Sequence, residues 1–153
     1  MNKESPQTLR ALKPDDLERV VEIDSRITGR SRKKFFEKRL EAALANSDGF
    51  IAVATETNST LTGVAIARLQ NGEFGIDYKV AVLDVIGVDP EYQNSGQGVM
   101  LLDGITQRAK KMGISEIRTQ VSWSDSELVQ FFAGHEFVLA PNRVLERSAS
   151  RNL

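Results

Sequence analysis

Residues 93–99 have the composition of a loop that binds an anion through its main chain. The segment Gln93-Asn94-Ser95-Gly96-Gln97-Gly98-Val99 leads into a stretch with helical periodicity. A helix start presents unpaired N–H groups and the positive end of the dipole, and glycine lets a phosphate approach without a Cβ. The loop has neither the lysine of a Walker loop nor the glycine spacing of a dinucleotide fold. It predicts a backbone-held pyrophosphate, with a plain tight turn as the alternative.

Asp84 is the candidate for proton transfer. It interrupts an apolar strand predicted over residues 80–88. Strand alternation places it on one face with Val82, Ile86 and Val88, where desolvation would raise its pKa and suit it to accept a proton. The alternative is a buried acid that is paired with a basic residue or hydrogen-bonded to backbone.

The elements that position these residues form a mixed α+β pattern. A sheet with helices on both faces and one right-handed parallel strand-helix-strand crossover is expected, with ligands beyond the ends of the parallel strands. The periodicity predicts strands at 8–11, 50–54, 61–69, 80–88 and 117–121, and a C-terminal hairpin from 137–140 and 143–146. It predicts helices that begin at Pro14, at a Ser31 cap, at Val99 and at a Ser124–Glu127 capping box.

Length and composition restrict the class of protein. A chain of 153 residues, with 41% hydrophobic and 27% charged residues, predicts one globular domain over residues 1–153. The net charge of −1 gives no support for a nucleic-acid or membrane partner. The absence of cysteine and the single histidine argue against a thiol nucleophile and a metal site. The polar N-terminus predicts a cytoplasmic location.

The chain resembles the GNAT family of N-acetyltransferases. That family has an apolar strand, a short proline-containing connector, and then Q/R-x-x-G-x-G/A entering a helix. Val85–Val88, Pro90 and Gln93–Gly98 match this order. The resemblance extends from about residue 8 to 147 and implies direct transfer of acetyl from acetyl-CoA to a primary amine of a small molecule or protein.

The resemblance also implies residue roles. Asp84 would take the amine proton, and the backbone of Ile86 and Val88 would pair with the pantetheine arm and polarise the thioester carbonyl. No metal is needed. The implied contacts of acetyl-CoA are Ile86, Gly87, Val88, Gln93, Asn94, Ser95, Gly96, Gln97, Gly98, Val99, Asp125 and Phe132.

The predicted last helix departs from the family. Phe132 stands where many members have a tyrosine that protonates the leaving thiolate, and Asp125 stands where they have asparagine. Ser124, Tyr92 or water would then be the acid, or the thiolate leaves unassisted, as a thiol pKa of roughly 8.5 permits. The alternatives to an enzyme are a non-catalytic acyl-CoA-binding module and a domain for another nucleotide. A homodimer is left open.

Three of the remaining features have two interpretations each. His135 is expected to be structural rather than catalytic, and Trp123 to be either core or pocket wall. Glu73 and Tyr78 are secondary candidates for the acceptor site. The segment from Arg26 to Arg39 contains seven basic residues and one acidic residue, Glu37. This segment is expected to be a solvated helix face, with an acidic acceptor as the alternative.

Overall fold

The structure is a computed structural model, and it describes residues 6–150 of the chain. The chain divides into two compact units, the first ending at Gln120 and the second beginning at Val121, and each is described by itself. The expectation of a single domain stays a prediction. No helix within residues 6–150 is long and apolar enough to cross a membrane.

The first unit is built on one five-stranded sheet in sequential order. Neighbouring strands are antiparallel except for the last pair, which is parallel. The strands are β1 (Gln7–Ala11), β2 (Phe50–Thr57), β3 (Thr60–Asn71), β4 (Lys79–Val88) and β5 (Ile117–Thr119). The helices of this unit are α1 (Leu17–Thr28), α2 (Lys33–Ala45) and α3 (Gln97–Lys111).

Helices cover both faces of the sheet, as the sequence predicts. Val64 belongs to a buried cluster with Ile23 of α1 and Phe36 of α2. A Cβ on the neighbouring Gly63 would lie 3.0 Å from Leu101 of α3. Because successive residues of a strand point to opposite faces, α3 packs on the face opposite α1 and α2. The predicted mixed fold and its crossover through α3 are confirmed.

Several predicted boundaries are wrong by a few residues. α3 begins at Gln97 rather than Val99, and β5 ends at Thr119 rather than Val121. The cap of α2 is Arg32, not Ser31. Cap positions are set by local backbone angles, and a one-residue shift leaves the apolar face of the helix in place, so periodicity does not determine them.

The described part of the second unit, residues 121–150, contains one helix, α4 (Ser126–Ala133). Its N-terminal cap is Asp125, which accepts a hydrogen bond from the Leu128 amide at 3.1 Å, so the predicted Ser124 cap is wrong. The predicted hairpin is also wrong, because residues 137–146 form no strand. Val138 and Leu139 are 87% and 98% exposed. An isolated hairpin is only marginally stable, and apolar alternation does not by itself create one.

Candidate functional site

The turn into α3 leaves several main-chain amides without partners. Gly96 has a φ of 82°, in the left-handed region that favours glycine, and no side chain within the described residues caps the helix. The first helical bond runs from the Met100 amide to the Gly96 carbonyl at 3.1 Å. The N–H groups of Gln97, Gly98 and Val99 therefore point out of the helix start, where the dipole is positive. This arrangement suits a phosphate or pyrophosphate.

The side chain of Gln97 anchors this turn to strands β2 and β3. Gln97 is 1% exposed. Its Oε1 accepts hydrogen bonds from the hydroxyls of Thr55 at 2.9 Å and Thr62 at 2.5 Å, and its Nε2 donates to Thr57 Oγ1 at 3.2 Å. All three threonines are buried in β2 and β3. The Gln97 side chain is therefore unavailable to a ligand, and it holds in place the turn whose main chain the predicted pyrophosphate site requires.

Two other predicted site residues support the loop with their side chains. Gln93 Nε2 donates to the Val88 carbonyl at 3.2 Å, and this hydrogen bond holds the loop close to the end of β4. The Ser95 hydroxyl donates to the Tyr92 carbonyl. Asn94 has a φ of 64°, a left-handed conformation that asparagine tolerates. The loop is thus held in one shape by its own side chains.

Asp89 completes this support, and the sequence analysis did not identify it. It is fully buried, and it accepts hydrogen bonds from Arg19 at 2.5 Å, from Arg26 at 3.2 Å and from the Glu91 amide at 3.0 Å. Burial raises the pKa of Asp89, but the Glu91 amide and the two arginines outweigh it, so the pKa lies below its ordinary value. The sequence contained one signal, the helical i, i+7 spacing of Arg19 and Arg26, which places both on one face of α1.

The end of β4 forms an open edge within the first unit. Pairing between β4 and β5 stops at the pair Leu83 and Thr119, whereas pairing with β3 continues to Val88. Within the unit, the main chain from Asp84 to Val88 therefore pairs as a strand only with β3, and the Val88 carbonyl also accepts the hydrogen bond from Gln93. An extended ligand with amide groups can add to such an edge as a strand does. The pairing stops because β5 ends at Thr119, so the predicted splaying of the two parallel strands stays a prediction.

A β-bulge at Asp84 changes which face its side chain occupies. Ile66 pairs with Val85 and Ala67 pairs with Leu83, so Asp84 is the extra residue. In a bulge the extra residue points to the same side as its neighbour, here Val85, which belongs to the cluster beneath α1 and α2. The predicted alternation of Asp84 with Ile86 and Val88 is therefore wrong, since strict alternation fails at a bulge.

The environment of Asp84 combines burial with positive charge. Its carboxylate lies 3.3 Å from Arg39 Nη2, and its side chain is 23% exposed. The residue as a whole is exposed, which indicates that its main chain is open to solvent. Burial raises the pKa of Asp84, while Arg39 and Arg68 oppose that rise without cancelling it. Both features predicted for this acid, a raised pKa and a basic partner, are present together.

The remaining predicted site residues belong to the second unit. The Ser124 hydroxyl lies 3.0 Å from the Ser122 hydroxyl, and Asp125 caps α4. Phe132 is buried, and its ring centroid is 4.8 Å from that of Phe137. A phenyl ring in this position has no proton to donate.

The structure also shows the surroundings of two other residues of the second unit, His135 and Trp123. His135 Nδ1 lies 2.7 Å from the Phe131 carbonyl and its ring stacks on Phe131, in agreement with the expected structural role. Trp123 is completely exposed, so the alternative that placed it in a core is wrong.

The basic segment of α1 and α2 is only partly neutralised. Arg26, Arg32, Lys33 and Arg39 form ion pairs with acids. Lys34 and Lys38 are exposed and have no acidic partner among residues 6–150. The secondary candidates Glu73 and Tyr78 lie in the connection before β4, and within the described part of the chain neither is hydrogen-bonded to Asp84.

Comparison with known proteins gives a consistent result. The model of the acetyltransferase (GNAT) family matches residues 17–137. No curated protein sequence matches the chain. An aminoglycoside N-acetyltransferase in complex with CoA superposes with a TM-score of 0.83 at 16% identity, covering 97% of this chain and 99% of the other.

Two further solved structures share this fold. An aminoglycoside antibiotic 6′-N-acetyltransferase from Acinetobacter haemolyticus has a TM-score of 0.78 at 15% identity, with 95% and 99% of the two chains covered. A transcriptional regulator from Bacillus halodurans has a TM-score of 0.79 at 15% identity, with 94% and 99% covered. At these identities the structural likeness concerns the fold.

Proposed function

The chain belongs to the acetyltransferase (GNAT) family, and from that premise we propose that residues 84–99 form its donor site and that Asp84 accepts the proton of the acceptor amine. The family membership makes the protein an acyltransferase that uses acetyl-CoA as cosubstrate to acetylate a primary amine. The solved neighbour in complex with CoA supports the same donor. The acceptor is a small molecule or a protein amine.

One observation carries the assignment of the donor site. Within a single unit, the uncapped amides of Gln97, Gly98 and Val99 follow directly from the strand edge that opens after Leu83. The amides suit the pyrophosphate, and the open edge at Ile86 and Val88 suits the amide-containing pantetheine arm. Gln93, Asn94, Ser95 and Gly96 form the turn that joins these two parts.

The chain's own groups are sufficient for the chemistry proposed. Asp84 holds the proton that the acceptor ammonium loses, which frees the nitrogen lone pair. That pair forms a bond to the acetyl carbon, the carbonyl π electrons move to oxygen, and a β4 amide stabilises the oxyanion. When the carbonyl re-forms, the C–S bond breaks and its electrons remain on sulfur. The thiolate takes up one proton, so the products are the amide and free CoA.

The last proton transfer of the reaction is to the departing thiolate. Ser124 is the proposed donor, with Tyr92, water or unassisted departure as alternatives, because Phe132 has no hydroxyl. The contacts of Asp125 and Phe132 with the cosubstrate also stay predictions, since these residues belong to the second unit. A cytoplasmic location, a single domain and a homodimer stay predictions as well.

Acceptor-dependent release of CoA tests the proposal. Purified protein is incubated with acetyl-CoA and a panel of primary amines, and free thiol is measured. We expect release with at least one amine, and a loss of about 100-fold or more in Asp84→Asn at unchanged CoA affinity. Asp48→Asn, an exposed acid, is the matched control and retains the rate.

Two outcomes would favour the alternatives. Tight CoA binding without acceptor-dependent release would indicate a non-catalytic acyl-CoA-binding module. Competition by ADP as strong as by CoA would show that the pantetheine edge contributes nothing, as expected of a domain for another nucleotide. An unchanged rate in Asp84→Asn would remove Asp84 from the proposed mechanism.

A further inference from the structure

The arginines of the first unit fall into two groups. In one group the guanidinium donates hydrogen bonds to a carboxylate; within the described residues its members are Arg10, Arg19, Arg26, Arg32 and Arg118. Arg39 and Arg68 do not belong to it, although both act on Asp84. Arg39 and Arg68, the two arginines near Asp84, therefore keep free the N–H groups that the arginines of the first group use to bind carboxylates.

Arg39 is held in place while most of its donors stay unused. Its guanidinium carbon lies 5.4 Å from the ring centroid of Phe35 and 5.9 Å from that of Phe50. The nearest carboxylate atom, on Asp84, is 3.3 Å away, and the geometry is that of an ion pair without a hydrogen bond. Stacking on aromatic rings orients the planar guanidinium. Arg39 is thus a preorganised cation with free N–H groups.

Arg68 lies on β3, next to the part of β4 that carries Asp84. It pairs in register with Val82, two residues before Asp84, and Ile66 pairs with Val85, one residue after it. Residues 66 and 68 share one face of β3, and the bulge places Asp84 on that face too. Arg68 is exposed and forms no ion pair within 4.0 Å among residues 6–150. It is a diagonal neighbour of Asp84 on the face of the sheet that carries α1 and α2.

This cluster has an excess of positive charge where the acceptor must approach. One guanidinium lies 3.3 Å from the Asp84 carboxylate and a second belongs to its diagonal neighbour on β3. A proton taken up by Asp84 during the reaction would leave these two positive charges unbalanced. Such a site repels a polycation and attracts an anion. A guanidinium with unused donors binds a carboxylate through two parallel hydrogen bonds.

We propose that the acceptor is an amino carboxylate, which is a primary amine that also carries a carboxylate. Arg39 and Arg68 bind this carboxylate while the amine faces Asp84. This inference rests on the proposed function. The two arginines then determine acceptor specificity, and the ammonium next to them loses its proton more readily. Aminoglycosides and polyamines, which are cationic, are excluded as good acceptors by the same charge.

Matched acceptor pairs test this inference. Each pair differs only in the carboxylate: β-alanine with β-alaninamide, and L-leucine with L-leucinamide, with spermidine as a polycation. The measurement is kcat/KM for acceptor-dependent CoA release at saturating acetyl-CoA. We expect the carboxylate member of at least one pair to exceed its amide at least tenfold, and spermidine to be the poorest acceptor.

Substitution at Arg68 locates the effect in the proposed site. Because Arg68 is exposed and does not pack in the core, Arg68→Gln leaves the fold and CoA affinity unchanged. We expect it to reduce the ratio of kcat/KM for the carboxylate to kcat/KM for its amide at least fivefold, through a higher KM for the carboxylate acceptor. Arg30→Gln, an exposed arginine in the α1–α2 connection, is the control and keeps the preference.

The outcomes separate the two proposals. Equal or better use of the amides or of spermidine would overturn the carboxylate acceptor while leaving the transferase intact. A preference that survives in both Arg68→Gln and Arg39→Gln would overturn the assignment to these arginines. If no amine of any charge consumes acetyl-CoA, although CoA binds, the transferase proposal itself fails and this inference falls with it.

Discussion

The fully buried carboxylate of Asp89 accepts a hydrogen bond from Arg19 Nη2 at 2.5 Å, which joins the end of β4 to α1. The same arginine donates through Nε to the Leu61 carbonyl at 2.8 Å, and the Asp89 amide donates to the Thr62 carbonyl at 2.8 Å. These bonds fix the residue from which the donor loop starts. We infer that this ion pair determines where residues 90–96 leave the sheet.

Removal of the Asp89 carboxylate should destabilise the first unit. Asp89→Ala leaves Arg19, whose side chain is 22% exposed, without its buried partner. Breaking a buried pair from one side costs about 3 kcal/mol, measured as the free energy of unfolding in urea. Arg26→Gln is the control, because Arg26 is 40% exposed and the expected loss is below about 1 kcal/mol. Equal losses in both variants would contradict a special contribution of Arg19.

Acid should weaken the protein through the same carboxylate. The pKa of Asp89 is lower in the folded state than its ordinary value of 3.8. Its stabilising contribution is therefore complete above that value and is lost as the pH falls through the lower folded-state pKa. Urea midpoints measured downward from pH 5 should fall more steeply for the wild-type protein than for Asp89→Asn. Parallel curves would contradict this prediction.

The sequence predicted the sheet, the helices and the glycine turn before α3 because each depends on local signals. Periodicity identified β4 and α3, and Gly96 marked the turn. The bulge at Asp84 was not predictable, because it arises from the register between β3 and β4. Asp89 was missed for a related reason, since its partners lie 63 and 70 residues away in the chain. Pairing between distant residues leaves no periodic signal in either segment.

The buried polar cluster beneath α3 should support both stability and donor binding. Gln97→Leu removes the acceptor of the Thr55 and Thr62 hydroxyls, and we expect a loss of about 1–3 kcal/mol in unfolding free energy. CoA affinity should also fall, because the first turn of α3 loses its attachment. Gln107→Leu, an exposed position on the same helix, should change stability by less than about 0.5 kcal/mol. Full CoA affinity in a folded Gln97→Leu would refute the positioning effect.

The pH dependence of the rate should reveal the influence of Arg39 on Asp84. A base must be deprotonated, so activity is lost as the pH falls through the raised pKa of Asp84. Arg39 favours the carboxylate, so its removal should raise that pKa further. We expect this shift in Arg39→Gln with β-alaninamide, an acceptor that has no carboxylate. The fall of kcat/KM at low pH should then occur at a higher pH than in the wild-type protein. A fall that stays at the same pH would argue against Asp84 as the titrating group.

Two glycines provide a matched pair for the donor loop. Gly96 and Gly29 have φ values of 82° and 77°, and a Cβ at either position would meet no atom within 4 Å. Alanine at each should therefore cost about 1 kcal/mol of stability through backbone strain. Only Gly96 precedes the amides of α3, so Gly96→Ala should weaken CoA binding at least tenfold, whereas Gly29→Ala should not change it.

Calorimetric titration of the wild-type protein, Gly96→Ala and Gly29→Ala with CoA tests the donor site most directly. The account predicts one CoA site per chain in the wild-type protein and in Gly29→Ala, and at least tenfold weaker binding in Gly96→Ala. No binding heat with CoA, or equal affinity in all three proteins, would contradict a pyrophosphate held by the amides at the start of α3.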